Sequence, residues 1–410
     1  MSVLAVLLLG LAVLEVFLTV LVRRLRRGFQ WLITEADERP VLDPEALRKY
    51  LDGSFDPDLG WVRKPDTEGR EKGAGGEVVF HIDSSGARAA PGGKDAPAAA
   101  AFGDSYVFCR QVADEETWEA QTARISGLGV MNFGVGNYGA DQALLRYERT
   151  ELPPSVRVAI LGFVPETICR VQSYWKHYLE FGNTFAFKPR FLPDGAAGLV
   201  LKPQAMRRAE DFTRIEEKLP GIRAADGFYR RKFRSRQFRF PYLFSFLRHP
   251  GTNARLIAAL VRWAVLRRLG RSGPEAENRP FELIMRENLK DARRMYADPD
   301  ATALLRGILL RFAAAARRRG HVPVVLVMPQ LLDLRGGGAT PEYCAFFAGL
   351  GREMAVLEMT DVLTRQDLET LYVEDAYGGH FSVEGNRLVA ETVAAFLRGC
   401  AADEAREGAP

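Results

Sequence analysis

The sequence predicts a three-layer α/β/α fold on a mostly parallel sheet, with an N-terminal transmembrane helix and a helical insertion. Three observations carry that expectation. Short continuous runs of Val, Ile, Leu and Ala alternate with helical stretches. The first twenty-odd residues are almost wholly apolar. A long stretch in the middle breaks the alternation and is strongly basic.

The strand runs come in order. Ala98–Phe102 is a small-residue apolar run, followed by a helical stretch at Glu115–Ser126. Gly129–Phe133 reads as a second strand, and Gln142–Arg149 as a helix. Arg157–Phe163, His321–Pro329 and Val356–Met359 supply three more strands, and Gly385–Arg398 is a closing amphipathic helix. Strands without polar alternation are buried on both faces, the mark of a parallel sheet covered by helices. The expected organisation is an anchor at 1–28, a lead-in at 29–95, and a discontinuous α/β domain at 96–170 and 310–400. An insertion fills 171–309, and 401–410 is a disordered tail. The lead-in holds turn chemistry at 56–61 and 64–66, one short strand at Glu77–Ile82, and a Gly/Pro/Ala-rich loop at 86–97.

Val3–Val22 carries a single charge, Glu15. As a helix it would be ~30 Å long, the thickness of a bilayer's hydrocarbon layer. No Lys or Arg precedes the run, and Arg23, Arg24, Arg26 and Arg27 follow it. A signal peptide wants the opposite order, so the segment is expected to be an uncleaved, single-pass anchor in the cell inner membrane. Positive-inside counting then puts the main domain in the cytoplasm.

The chain has 410 residues, 47% apolar and 26% charged, which fits a folded globular protein. Between Gly221 and Ser272 there are thirteen Lys/Arg and one acid, Asp226, so the rest of the chain is net negative. Aromatics interleave with the arginines over Phe228–His249, and Arg255–Arg268 is an apolar helix with basic flanks. No nucleic-acid module pattern occurs. An anionic membrane surface is the expected partner; the rival is a solvated basic face. Cys109, Cys169, Cys344 and Cys400 form no C-x-x-C pair, and neither zinc spacing nor H-E-x-x-H is present. No metal or cofactor is expected. A phosphate loop and a G-x-S-x-G elbow are both missing, which excludes P-loop GTPases and ATPases and the α/β-hydrolases.

Gly103-Asp104-Ser105 ends the first strand run. In parallel sheets, ligands bind beyond the carboxyl ends of the strands. A serine at a strand-to-helix turn exposes its hydroxyl, and its N–H points toward any oxyanion formed there. A helix N-cap is the rival use of such a serine. Its base should be a histidine. Of five histidines, His380 is best placed: a glycine pair, Gly378-Gly379, precedes it and the closing helix follows. Asp375 is the natural carboxylate to orient it.

These residues, taken together, resemble the SGNH/GDSL hydrolase superfamily. Phe102-Gly103-Asp104-Ser105 is similar to its first block, and Asn132 to Gly139 to its second. Ile160–Phe163 resembles the strand leading into the third block, and Asp375 to Asn386 the last. The resemblance implies a Ser105 nucleophile and a His380 base. It also implies an oxyanion hole from the Ser105 amide and an amide near Gly136. Two departures stand out. The third block has Val164-Pro165-Glu166-Thr167 in place of its usual asparagine, leaving Thr167 or Asn137 to donate. Tyr377 occupies the usual position of the aspartate, three residues before histidine, with Asp375 five before. Asn137 falls where glycine is common; asparagine tolerates left-handed backbone. The implied activity is hydrolysis of O-acyl, above all O-acetyl, esters on a bacterial surface polysaccharide or its lipid-linked precursor. An O-acyltransferase with the same chemistry and a catalytically weakened scaffold of polysaccharide assembly are the alternatives. The expected partners are an acylated carbohydrate or lipid-linked substrate, the membrane and a membrane protein, with no nucleic acid.

Overall fold

The computed structural model describes all residues except Met1, Gly28, Gln30, 94–95, 196–197, 336–340, 374–378 and 408–410. In chain order, the elements used below begin with α1 (Val3–Arg26), β1 (Thr67–Gly73), β2 (Gly76–Ile82) and β3 (Ala99–Gly103). They continue with α2 (Trp118–Ser126), β4 (Val130–Gly134), α3 (Ala140–Arg149), β5 (Val158–Phe163), α4 (Tyr242–Arg248) and α5 (Pro250–Arg268). The last are α6 (Pro299–Arg318), β6 (Val322–Val327), β7 (Ala355–Glu358) and α7 (Val383–Glu407).

The chain divides into two compact units. One comprises Met1–Leu51, Ser173–Lys188 and Ala205–Glu287; the other comprises Asp52–Gln172, Pro189–Gln204 and Asn288–Pro410. The second unit holds a five-stranded sheet of order β7-β6-β5-β3-β4, with every described pairing parallel. Numbering its strands in chain order gives 2-1-3-4-5, a doubly wound arrangement. The direction of winding reverses between β3 and β5, and such a reversal leaves a crevice at the strands' carboxyl ends. Ser105 stands two residues past β3.

Side chains alternate across the pleat. Ala99, Ala101, Val158, Ile160, Val324 and Leu326 pack with Trp118 of α2 and with Leu388, Val389 and Val393 of α7. Phe102, the next residue of β3, instead meets Tyr147 of α3 edge-on at 5.3 Å, and Tyr147 meets Phe312 of α6 at 5.2 Å. The antiparallel β1–β2 hairpin also lies in this unit. α2 begins three residues later than the residue pattern predicts. Asp114–Glu116 forms a 3-10 turn, and the Thr117 side chain caps α2 by accepting from the Ala120 amide at 3.1 Å.

In the first unit, α1 is long and apolar enough to cross a membrane and is exposed along most of its length. Its Leu18 and Val22 pack with Leu32, Phe238, Tyr242, Leu256 and Leu260. The unit has a further aromatic core in which Trp175 stacks on Phe187 at 4.7 Å and Tyr178 packs on Phe233 at 4.8 Å.

Candidate active site

The site begins with small residues. β3 reads Ala99-Ala100-Ala101-Phe102-Gly103 and is wholly buried, so the chain leaves the sheet in a close-packed place. Asp104 then organises the turn. Its carboxylate accepts from the Tyr106 amide at 2.9 Å, and its carbonyl accepts from the Phe108 amide at 2.9 Å. The Ser105 carbonyl accepts from Arg110 at 3.1 Å. Gly134, at the end of the neighbouring β4, lets this turn fold back over the strand ends. A Cβ at Gly134 would stand 2.2 Å from the Phe108 nitrogen. Ser105 is left half-buried at the carboxyl edge of the sheet.

His380 meets it there, 275 residues later in sequence. His380 Nε2 lies 2.9 Å from Ser105 Oγ. The other ring nitrogen, Nδ1, lies 3.0 Å from Gln111 Oε1. A carboxamide oxygen only accepts, so Nδ1 carries the hydrogen, and in the neutral imidazole this leaves Nε2 as the bare nitrogen facing the serine hydroxyl. That tautomer suits a general base. Gly379 holds a φ of +76, a left-handed turn that glycine adopts freely. The Tyr106 hydroxyl donates to the Gly379 carbonyl, and the Tyr106 ring lies 5.3 Å from the imidazole. The residue after Ser105 therefore holds the loop that carries the histidine.

Gln111 is the functional candidate that the sequence reading missed. It sits at φ +72, and Cys109 at φ +54, so the segment is bent into unfavourable backbone twice. Arg88 fixes it. Its guanidinium donates to the carbonyls of Phe108 at 2.6 Å, Cys109 at 2.7 Å and Val112 at 2.6 Å, and to Asp114 at 2.8 Å. Asp114 also meets His81 Nδ1 at 2.8 Å. Arg88 is 2% exposed, so these bonds are made away from water. Below the same turn, burial pushes the Glu119 carboxyl up to about 8, against the Cys109 thiol that donates to it and the nearby Arg88 charge. Burial, and then Glu119, push the Cys109 thiol well above its ordinary range.

The other expected site residues fall out differently. Asp375 lies outside the described residues. Asn137 is exposed and holds φ +71, a left-handed conformation. The Gly136 carbonyl accepts from Trp61 Nε1 at 2.9 Å. The amides of Ser105 and Gly136 have no acceptor among the described residues. Thr167 is buried, and its hydroxyl donates to the Val164 carbonyl at 2.7 Å, which commits its only hydrogen. A cavity of about 830 Å³ opens elsewhere, between Asp333, Cys344 and Glu358; Ser105 and His380 do not line it. Burial, and then Glu166, raise the Asp333 carboxyl there to about 7 despite a bond from the Gln330 amide. Among the described residues, no group of His, Cys, Asp and Glu is placed to hold a metal ion.

No protein-family model and no curated protein matches the chain. Among solved structures, the chain is similar to a protein assigned to the G-D-S-L lipolytic family from Desulfitobacterium hafniense DCB-2. The identity is 12% and the TM-score 0.31, over 72% of this chain and 97% of that one. So loose an overlap carries no argument, and the functional reading rests on the site geometry.

Proposed function

We propose that this chain is a membrane-anchored serine hydrolase of the SGNH/GDSL type that cleaves O-acyl esters. The observation that carries the reading is the 2.9 Å contact between Ser105 Oγ and the bare nitrogen of His380. Its position past β3, at the reversal of the strand order, supports the same reading. Helix contacts from α2 and α7 to one set of strand side chains, and from α3 to Phe102 of the alternate set, support a three-layer arrangement.

The chemistry then runs in two halves. Ser105 Oγ attacks the acyl carbonyl while its proton passes to His380 Nε2. The Ser105 and Gly136 amides are the proposed donors to the oxyanion, a contribution of about 10²–10³ in turnover for each donor. The imidazolium returns its proton to the leaving alkoxide, and the acyl group stays on Ser105. Water repeats the sequence, with His380 again the base, and releases the carboxylic acid. Gln111 holds the imidazole in register but brings no charge to steady the imidazolium.

The proposed substrates are O-acetyl groups of an acylated carbohydrate or its lipid-linked precursor. The proposed site of action is the inner membrane, with the main domain cytoplasmic by the positive-inside count. The test is direct. The full chain in detergent is treated with a fluorophosphonate probe and with p-nitrophenyl acetate. Labelling and turnover should vanish in Ser105→Ala and fall sharply in His380→Ala. A wild-type chain that neither labels nor turns over a short ester overturns the hydrolase reading. Acyl transfer to added sugar in excess of release to water would make it an acyltransferase. A C-terminal reporter that is exported would reverse the assigned side.

A further inference from the structure

The geometry points to a second membrane contact: residues 239–271 form a foot that enters the bilayer leaflet beside α1. This inference rests on α1 being a membrane span and is independent of the ester chemistry.

The first observation is the partner of Glu15. Glu15 lies eight residues before Arg23, about 12 Å along a helix axis and so well inside a ~30 Å hydrocarbon layer. A carboxylate at that depth is costly and is kept when paired. Here it is paired with backbone. The Tyr242 and Leu243 amides donate to its two oxygens, the latter at 2.7 Å. These are the first two N–H groups of α4, which the helix itself leaves unsatisfied and which carry the positive end of its dipole. In hydrocarbon, no water would bond them. Each side of the contact therefore meets the other's need at the same depth. The Arg23 guanidinium lies 6.0 Å from the Tyr242 ring, which ties α4 to the arginine flank of α1 as well.

The second observation is what faces outward. Phe240, Phe244 and Leu247 are 74%, 60% and 58% exposed. The exposed Val261 and Val265 of α5, with Leu269 at its C-cap, recur every fourth residue along one side. These are not the side chains that hold α1; Tyr242, Leu256 and Leu260 do that. The third observation is charge. Residues 239–271 hold seven arginines and no carboxylate. Arg248 lies 5.0 Å from the Phe244 ring and Arg267 5.6 Å from the Trp263 ring. Outward aromatic and aliphatic groups flanked by arginine fit an anionic lipid interface. Nucleic acid would satisfy the arginines and leave the Phe240, Phe244 and Leu247 side chains in water.

The test uses the full chain in vesicles of phosphatidylethanolamine and phosphatidylglycerol doped with a phospholipid bearing a diazirine on its acyl chain. Photolysis, digestion and mass spectrometry map the adducts. The expected result is adducts in α1 and in both 240–247 and 261–269, with none in α3. Adducts in α1 alone overturn the foot, leave the anchor standing and give the outward faces to a protein partner. Adducts in neither overturn both readings. In Phe244→Glu/Leu247→Glu, two exposed positions that a fold tolerates, adducts in 240–247 should fall roughly tenfold or more while those in α1 persist. Unchanged labelling of 240–247 in that variant also refutes the proposal.

Discussion

Gln111→Asn separates the orienting role of Gln111 from its backbone role. Asparagine tolerates the left-handed φ of +72 that position 111 requires. It keeps the carboxamide but draws its oxygen back by about 1.5 Å, one carbon–carbon bond. The 3.0 Å bond to His380 Nδ1 is then broken. A neutral bond of this kind contributes about 1 kcal/mol in the ground state, and one to a charged partner about 1.5–3 kcal/mol. In the proposed mechanism the imidazole gains its charge as the serine attacks, so the transition state loses roughly 1–2 kcal/mol more than the ground state. The expected result is a fall of about 5- to 30-fold in kcat with KM nearly unchanged. Losing a buried triad carboxylate costs far more, about 10⁴ in serine proteases. Gln111→Glu keeps the reach and adds charge, so its kcat should match or exceed the parent's. The assay is p-nitrophenyl acetate turnover under saturation, with thermal melting to confirm equal folding. Full kcat in Gln111→Asn, alongside a loss of 10³ or more in Asp375→Asn, would refute the argument and return the orienting role to Asp375.

Gly134→Ala should slow fluorophosphonate labelling and lower the melting temperature, because its methyl would stand 2.2 Å from the Phe108 nitrogen; overpacking of this kind costs about 1–3 kcal/mol. Arg88→Met strips the donor from three carbonyls and from Asp114, and should destabilise the unit by roughly 3–5 kcal/mol in a denaturant titration. Glu119, raised from 4.5 to about 8, keeps its proton in the folded state after the unfolded chain has lost it. Its contribution is complete below about pH 4.5 and is lost as pH rises to about 8, on the order of 5 kcal/mol across that window. Glu119→Gln cannot ionise, so its melting temperature should gain on the parent's between pH 5 and pH 8; parallel curves would show that Glu119 does not hold its proton.

What was legible in the sequence follows from the range of the interaction that made it so. The strands at 99–103, 130–134, 158–163, 322–327 and 355–358 stand where apolar runs predict them, because burial on both faces leaves a local mark in residue type. Ser105 and His380 were legible as neighbours of glycines at a strand end and before a helix. Gln111 was not, since nothing in Arg110-Gln111-Val112 announces a hydrogen-bond acceptor for a histidine 269 residues away. Its position comes from two left-handed residues and from Arg88, which in sequence is one more arginine in a Gly/Pro/Ala-rich loop. Glu15 is the same lesson from the other direction. Its charge was visible as an anomaly in an apolar span, but the amides of Tyr242 and Leu243 that answer it lie more than two hundred residues on. In one case the missing partner is a carboxamide placed by a bent backbone, in the other a pair of backbone N–H groups. Side-chain patterns do not report where such partners end up, so the two side chains that meet at 2.9 Å were readable while the groups that hold them were not.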